Sequence, residues 1–263
     1  MTLERTVAIA QPTYLPWLGY FDLMDQSDVF VFLDDVQFSR QSWQQRNRIR
    51  TDKGLEWLTL PVPKKGVSKT AIKDIPLGES MKFPHSHLAS VEQHYSQCPY
   101  FEEYFAELRQ LMQSKTDKTT HPRLASLTMS LIIWQSKQLG ISSRILCSSE
   151  MNVAGTRTER LVRMCKAVKA TTYLSPAGSV DYLVNEHREF DAAGLSLRFH
   201  HYEHPQYKQR YTPFQPYATT LDLLFNCGQL SMDIIRGGRR PSLTLGQLLE
   251  KNSGAADISL DYS

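Results

Sequence analysis

The 263-residue chain carries 30 basic and 27 acidic side chains, a net charge of +3, with 41% hydrophobic residues. It is long enough to bury a full core. The near balance of charge leaves only Arg236–Arg240 (RGGRR) as a basic run, so a nucleic-acid partner is not expected. No apolar run reaches membrane length, and MTLERTVAIAQP lacks a signal-peptide core, which predicts a cytoplasmic chain without a membrane span. The cysteines at 98, 147, 165 and 227 stand singly, without a CxxC pair, and predict reduced thiols rather than disulfides or structural zinc.

Thr6 to Ala10 is a short β-branched and apolar run that ends at Gln11-Pro12, the pattern of a buried strand. Pro12 and Pro16 stiffen the loop that follows, and Gly19 permits a close backbone approach. From Trp17, the spacing of Leu18, Phe21, Leu23 and Met24 predicts a helix, and residues 28–33 predict a second apolar strand. Strand, helix and strand make a βαβ unit, in which ligands collect beyond the carboxyl ends of the strands. The first such end supplies Gln11, Tyr14 and Tyr20; the second supplies Asp34, Asp35, Gln37, Ser39 and Arg40. A tight βα corner closed by prolines and aromatics is the plainer alternative.

Residues 43–50 and 55–62 predict a hairpin turning at Gly54. Period-two alternation sets Arg46, Arg48 and Arg50 on one face and Gln45, Asn47 and Ile49 on the other. The arginine row either faces solvent or grips a phosphate or carboxylate, and Asn47 and Arg48 enter as substrate-binding candidates. The lysine-rich stretch 64–84 reads as a mobile lid. Helical patterns over 83–96, 99–113 and 124–139, the last ended by Gly140, read as scaffold.

The α/β rhythm returns with a strand at 143–148, a helix at 156–169 begun by a Thr156–Glu159 capping box, a strand at 171–175 and a helix at 179–187. The turn between the last two, with Gly178 and Ser179, offers free N–H groups to an anion or is an ordinary corner. Residues 195–200 predict the final strand, which leads into HHYEHPQYKQRYTPFQP. His200 and His201 point to opposite faces by alternation, and no metal site is expected. His204, held extended by Pro205 beside Tyr207, Gln209 and Tyr211, is the best candidate general acid or base, or else a packed structural imidazole. Asp34 is the second catalytic candidate, and Tyr207 and Gln209 join the substrate-binding set. Asp222 is a polar residue out of place on an apolar helix, where it orients a histidine or simply favours the helix N-terminus.

These elements predict an α/β fold with a mainly parallel, Rossmann-like sheet, a β-hairpin excursion and a helical insertion at about 83–139. Residues 1–240 would form one α/β domain, and 241–263 a frayed C-terminal tail.

QPTYLPWLGYF, FLDDVQF, RNRI, GLEWLTLPV, YLSPAGSVDYL and HPQYKQRYTPFQPYATTLDLLFNCG together resemble the WbqC-like family, over roughly positions 7–62 and 170–228. That family is often associated with O-antigen and other polysaccharide or secondary-metabolite gene clusters. The first βαβ also looks like the start of nucleotidylyltransferase-type domains and pantothenate synthetases, where an HxGH motif holds nucleotide phosphates. The corresponding residues are Pro16-Trp17-Leu18-Gly19, so both histidines are absent. Three functions follow: a transferase or ligase acting on a sugar or amino-acid-like intermediate, a nucleotide-using enzyme of the second resemblance, or a non-catalytic scaffold of a biosynthetic complex. A small-molecule substrate is expected; a nucleotide, nucleotide sugar or acyl-CoA stays open as cofactor, and the oligomeric state stays open too.

Overall fold

A computed structural model of the chain describes residues 4–67, 69–78, 82–117 and 121–254. Its centre is a five-stranded parallel sheet of β1 (Thr6–Ala10), β2 (Val29–Phe32), β5 (Arg144–Cys147), β6 (Thr172–Ser175) and β7 (Ser196–Phe199), in the spatial order β5-β2-β1-β6-β7. β1 and β2 lie inside the sheet with both faces covered, which is why TVAIA and VFVF are apolar almost without interruption. Alternation divides them between two cores. Ala8, Ala10, Phe30 and Phe32 face α1 (Leu18–Asp25) and the helices behind it, while Val7, Ile9, Val29 and Val31 face α5 (Arg157–Ala167), α6 (Val180–Glu186) and α7 (Arg188–Ala192). Strand order reverses between β1 and β6, and the crevice at their carboxyl ends is where such sheets bind ligands.

The hairpin is β3 (Arg46–Thr51) with β4 (Gly54–Thr59), and the helical insertion is α2 (His85–Tyr95), α3 (Phe101–Lys115) and α4 (Leu124–Gln138). α4 ends at Gly140, whose φ of +70° suits a residue without a side chain. α8 (Thr220–Cys227) and α9 (Ser231–Gly237) complete that side of the sheet.

Three expectations change. The stretch 64–84 is not a lid as far as it is described: Ile72 and Ile75 are fully buried, Val67 nearly so, and the backbone of 70–73 bonds to Phe38, Val36 and Asp34. Its lysines hid the spaced apolar residues that pin it. Residues 68 and 79–81 of that stretch lie outside the described set. Thr156 does occupy the N-cap of α5 but makes no side-chain cap, and Glu159 pairs with Arg163 instead. Beyond Arg240 the chain docks rather than fraying: Leu243 and Phe199 exchange backbone hydrogen bonds of 2.8 and 2.9 Å, and α10 (Leu245–Gly254) follows. β7 is an edge strand, and Leu243, Leu245 and Leu248 cover it. Residues 255–263 lie outside the described set. No helix among the described residues is long and apolar enough to cross a membrane.

Candidate functional site

The cleft is built on Trp17, the N-cap residue of α1 at the carboxyl edge of the sheet. Its indole folds back over the first turn of the helix, where a Cβ on Gly19 would stand 2.3 Å from the ring. Only glycine leaves that space open. The segment after β7 comes to meet it, allowed by Gly238, where a Cβ would stand 2.4 Å from the Glu203 carbonyl. Trp17 then packs on Tyr202, His204 and Tyr217 with ring centroids 5.6, 6.3 and 5.7 Å away. His204 also meets Tyr217 at 5.1 Å, Phe214 at 5.9 Å and Tyr207 at 6.2 Å. Beside these rings lies a cavity of about 410 Å³ lined by Tyr202, Glu203, His204, Gln206, Phe214, Pro216 and Tyr217. That volume falls within the usual range of small-molecule sites.

The state of His204 follows from its partners. Its Nδ1 lies 2.9 Å from the Pro205 carbonyl oxygen, which can only accept, so Nδ1 carries the proton. Nε2 is then a bare lone pair, shielded from solvent and without a partner among the described residues. Burial lowers the pKa below the ordinary 6.5, so the ring is neutral at pH 7. An imidazole held in one tautomer with its basic nitrogen unspent can accept a proton.

Tyr207 backs that ring and is itself held. Its hydroxyl donates to Asp222 Oδ2 at 2.7 Å, and Gln209 Nε2 donates to the same oxygen at 2.9 Å. Asp222 is 1% exposed; burial pushes its pKa up, and the bonds from Tyr207 and Gln209 pull against that. Burial and the Asp222 carboxylate both push the Tyr207 phenol well up, so it stays protonated as a donor. Asp222 therefore orients a tyrosine rather than a histidine.

A histidine close to a carboxylate at this edge is His200, whose Nε2 lies 2.7 Å from Asp22 Oδ2, with Arg239 Nε donating to Oδ1 of the same carboxylate at 2.8 Å. Tyr202 stacks on His200 at 5.9 Å, so this buried network supports the cleft wall from below. Its one signal in the sequence is Asp22, a carboxylate inside the apolar face of α1. Phe214 and Tyr217 were also missed, although the aromatic density of residues 200–217 pointed to them, and so was Trp17, which only the fold brings there.

The remaining candidates are dispersed. Gln11 is exposed, and its side-chain oxygen accepts from Gln44 Nε2 at 2.7 Å. Tyr20 is buried and donates to the Gln11 carbonyl. Asp34 is 3% exposed and accepts from Ser149 N–H at 3.0 Å and the Ser149 hydroxyl at 2.7 Å, tying the end of β2 to that of β5 on the side of the sheet away from β7. Gln37 is exposed and bridges to Ala71 through its backbone. Asn47 is buried, donating to the Leu15 carbonyl at 2.7 Å, and Arg48 lies on the tryptophan-bearing face of the hairpin. Gly178 is exposed and Ser179 partly so, on a turn whose helix α6 has only seven residues. His204, Tyr207 and Gln209 are thus the predicted residues that come together. Among the described residues no cluster of metal-ligating side chains occurs.

Tyr14 does not line the cleft. It is fully buried, with its hydroxyl 2.9 Å from His87 Nδ1. Burial lowers the His87 pKa from 6.5 to about 4. The unfolded chain therefore binds the proton more readily, so the stability is whole above pH 6.5 and falls as the pH drops toward 4. At pH 5 the loss from this group should be about 2 kcal/mol relative to pH 7, at 1.36 kcal/mol per pKa unit. Urea unfolding at the two pH values checks it: His87→Gln should remove most of that difference, and an unchanged difference would assign it elsewhere.

A model of the WbqC-like protein family matches residues 11–234, a range that contains every wall of the cleft. The uncharacterized protein Rv1507c of Mycobacterium tuberculosis is 34% identical over 233 residues, covering 88% of this chain and 98% of that relative. No solved structure matches the chain. With the family match running from the loop before α1 to the middle of α9, this chain belongs to the WbqC-like protein family.

Proposed function

We propose that the chain is a transferase or ligase that modifies a sugar or similarly hydroxylated intermediate of polysaccharide or secondary-metabolite biosynthesis. The observation that carries this reading is the His204 ring in the wall of an aromatic-lined cleft, its Nε2 lone pair without a partner among the described residues. Aromatic faces stack on the C–H side of a sugar ring, and Gln206 and Glu203 offer hydrogen bonds to its hydroxyl groups. His204 would take the proton of a substrate hydroxyl as that oxygen attacks an activated donor, and the imidazolium would return the proton to the departing group. The pathway setting rests on the resemblance of the sequence motifs to the family.

Thermal unfolding with UDP-sugars, UDP, free monosaccharides, ATP, CTP and acyl-CoA tests the reading. A ligand at about 100 times its dissociation constant adds about 2.7 kcal/mol. Sugar-bearing ligands should stabilise the chain more than the matching nucleotide alone, and Tyr217→Ala should abolish the difference. Equal stabilisation by UDP and its sugars would remove the sugar from the cleft. No stabilisation by any member would favour a scaffold protein.

A further inference from the structure

The hairpin carries a face that the cleft reading leaves unused. Trp43 and Trp57 are 41% and 45% exposed and pack together with ring centroids 5.4 Å apart. The Arg46 guanidinium lies 4.2 Å from the centre of Trp57, and that of Arg48 lies 5.3 Å from Trp57 and 5.7 Å from Trp43. Strand register produces this ladder, because Arg48 stands opposite Trp57 and Arg46 opposite Thr59, while the intervening Asn47 and Ile49 turn into the core. The third arginine of the row leaves it: Arg50 is buried and donates to the Thr51 and Pro213 carbonyls.

Arg46 and Arg48 differ from the ion-paired arginines of the fold. Arg160 is paired with Asp35, Arg239 with Asp22 and Asp25, and Arg240 with Glu203. Among the described residues neither Arg46 nor Arg48 has a carboxylate or hydrogen-bond partner for its guanidinium, and the Nε of each is shielded from solvent with nothing to bond. Each is a half-buried cation with a dry, unbonded Nε and no anion beside it. Burial also lowers the pKa of Arg48.

We propose that Trp43, Arg46, Arg48 and Trp57 bind the nucleoside diphosphate part of an activated sugar donor whose sugar enters the His204 cleft. The inference rests on the sugar reading of that cleft and names its donor class. Exposed indoles stack on a base without regard to its identity, and guanidinium forks match phosphate oxygens. The backbones that carry the two places meet. The Arg48 carbonyl accepts from Thr219 N–H at 2.8 Å, and Tyr217, a wall of the cleft, lies two residues upstream, at most about 7 Å of extended chain. Tryptophan and arginine also mark protein interfaces, but two uncompensated cations with no acid among them favour a polyanion.

Calorimetric titration of the full chain with UDP, GDP, CDP, ADP and inorganic pyrophosphate is the test. At least one of the four nucleoside diphosphates should bind more tightly than pyrophosphate. Trp57→Ala should weaken that binding about 5- to 100-fold, the worth of one stacked base. Arg48→Gln should weaken it about tenfold or more, with Arg46→Gln as the second variant should the first unfold. His204→Gln should leave it within about threefold. Absence of binding at millimolar concentration overturns the inference, as does pyrophosphate binding equal to the nucleotides together with a silent Trp57→Ala. So does self-association by sedimentation that Trp57→Ala abolishes, which would make the face a protein interface. Stabilisation by free monosaccharides without any nucleoside diphosphate binding overturns this inference alone and leaves the cleft reading standing.

Discussion

Asp222→Ala is expected to cost about 3–5 kcal/mol of folding stability, enough to unfold many domains. The carboxylate is 1% exposed on α8 and accepts from the Tyr207 hydroxyl at 2.7 Å and the Gln209 amide at 2.9 Å. Its removal strands both donors in a dry interior, at about 1–3 kcal/mol each, and takes a negative charge away from the buried Arg50. Asp222→Asn keeps the shape and one accepting oxygen and should cost clearly less. Urea unfolding monitored by circular dichroism measures both. A loss below about 1 kcal/mol for the alanine variant would mean that water replaces the carboxylate and that Tyr207 is not held by it.

His204→Gln is expected to lower turnover about 10²–10⁴-fold while ligand affinity changes by no more than a few fold. Glutamine can keep the bond to the Pro205 carbonyl and much of the packing against Trp17 and Tyr217, but it cannot take a proton near neutral pH. The pH profile carries a second signature. His204 must be neutral to act as base, and burial holds its pKa below 6.5, so kcat/KM should be level above that pH and fall as the solution is acidified. Steady-state rates across pH 5–8 check this. A rate unaffected by the substitution, or an acid limb above pH 7, would make His204 a structural ring.

The centre of the sheet was legible because burial on two faces imposes unbroken apolar runs on β1 and β2, and each of the five parallel strands falls within about one residue of its expected range. The hairpin was legible from Gly54 and the alternation about Asn47. Side-chain destinations were less so. Tyr14 and Asp34 lie in polar loops at strand ends, yet one turns into the core to meet His87 and the other is consumed by Ser149, because long-range partners decide where a polar side chain points. The residues that surround His204 come from positions 17, 202, 207, 214 and 217, and only the folded chain joins Trp17 to the rest. The period-two rule sorted the arginine row correctly but could not show that Arg50 leaves it for the Pro213 carbonyl. The expected lid failed for a related reason: lysines set its composition, while four separated apolar residues, Val67, Ile72, Ile75 and Leu77, set its place.

The most direct test of the cleft is nitrogen NMR of the His204 ring, followed at pH 7 while a UDP-sugar is added. Free protein should show a neutral imidazole with the proton on Nδ1 and an unprotonated Nε2, and saturation with ligand should shift Nε2 alone as it accepts a substrate hydroxyl. A proton on Nε2 in the free protein, or an Nε2 signal unmoved at saturation, would contradict the assignment of His204 as the base of this site.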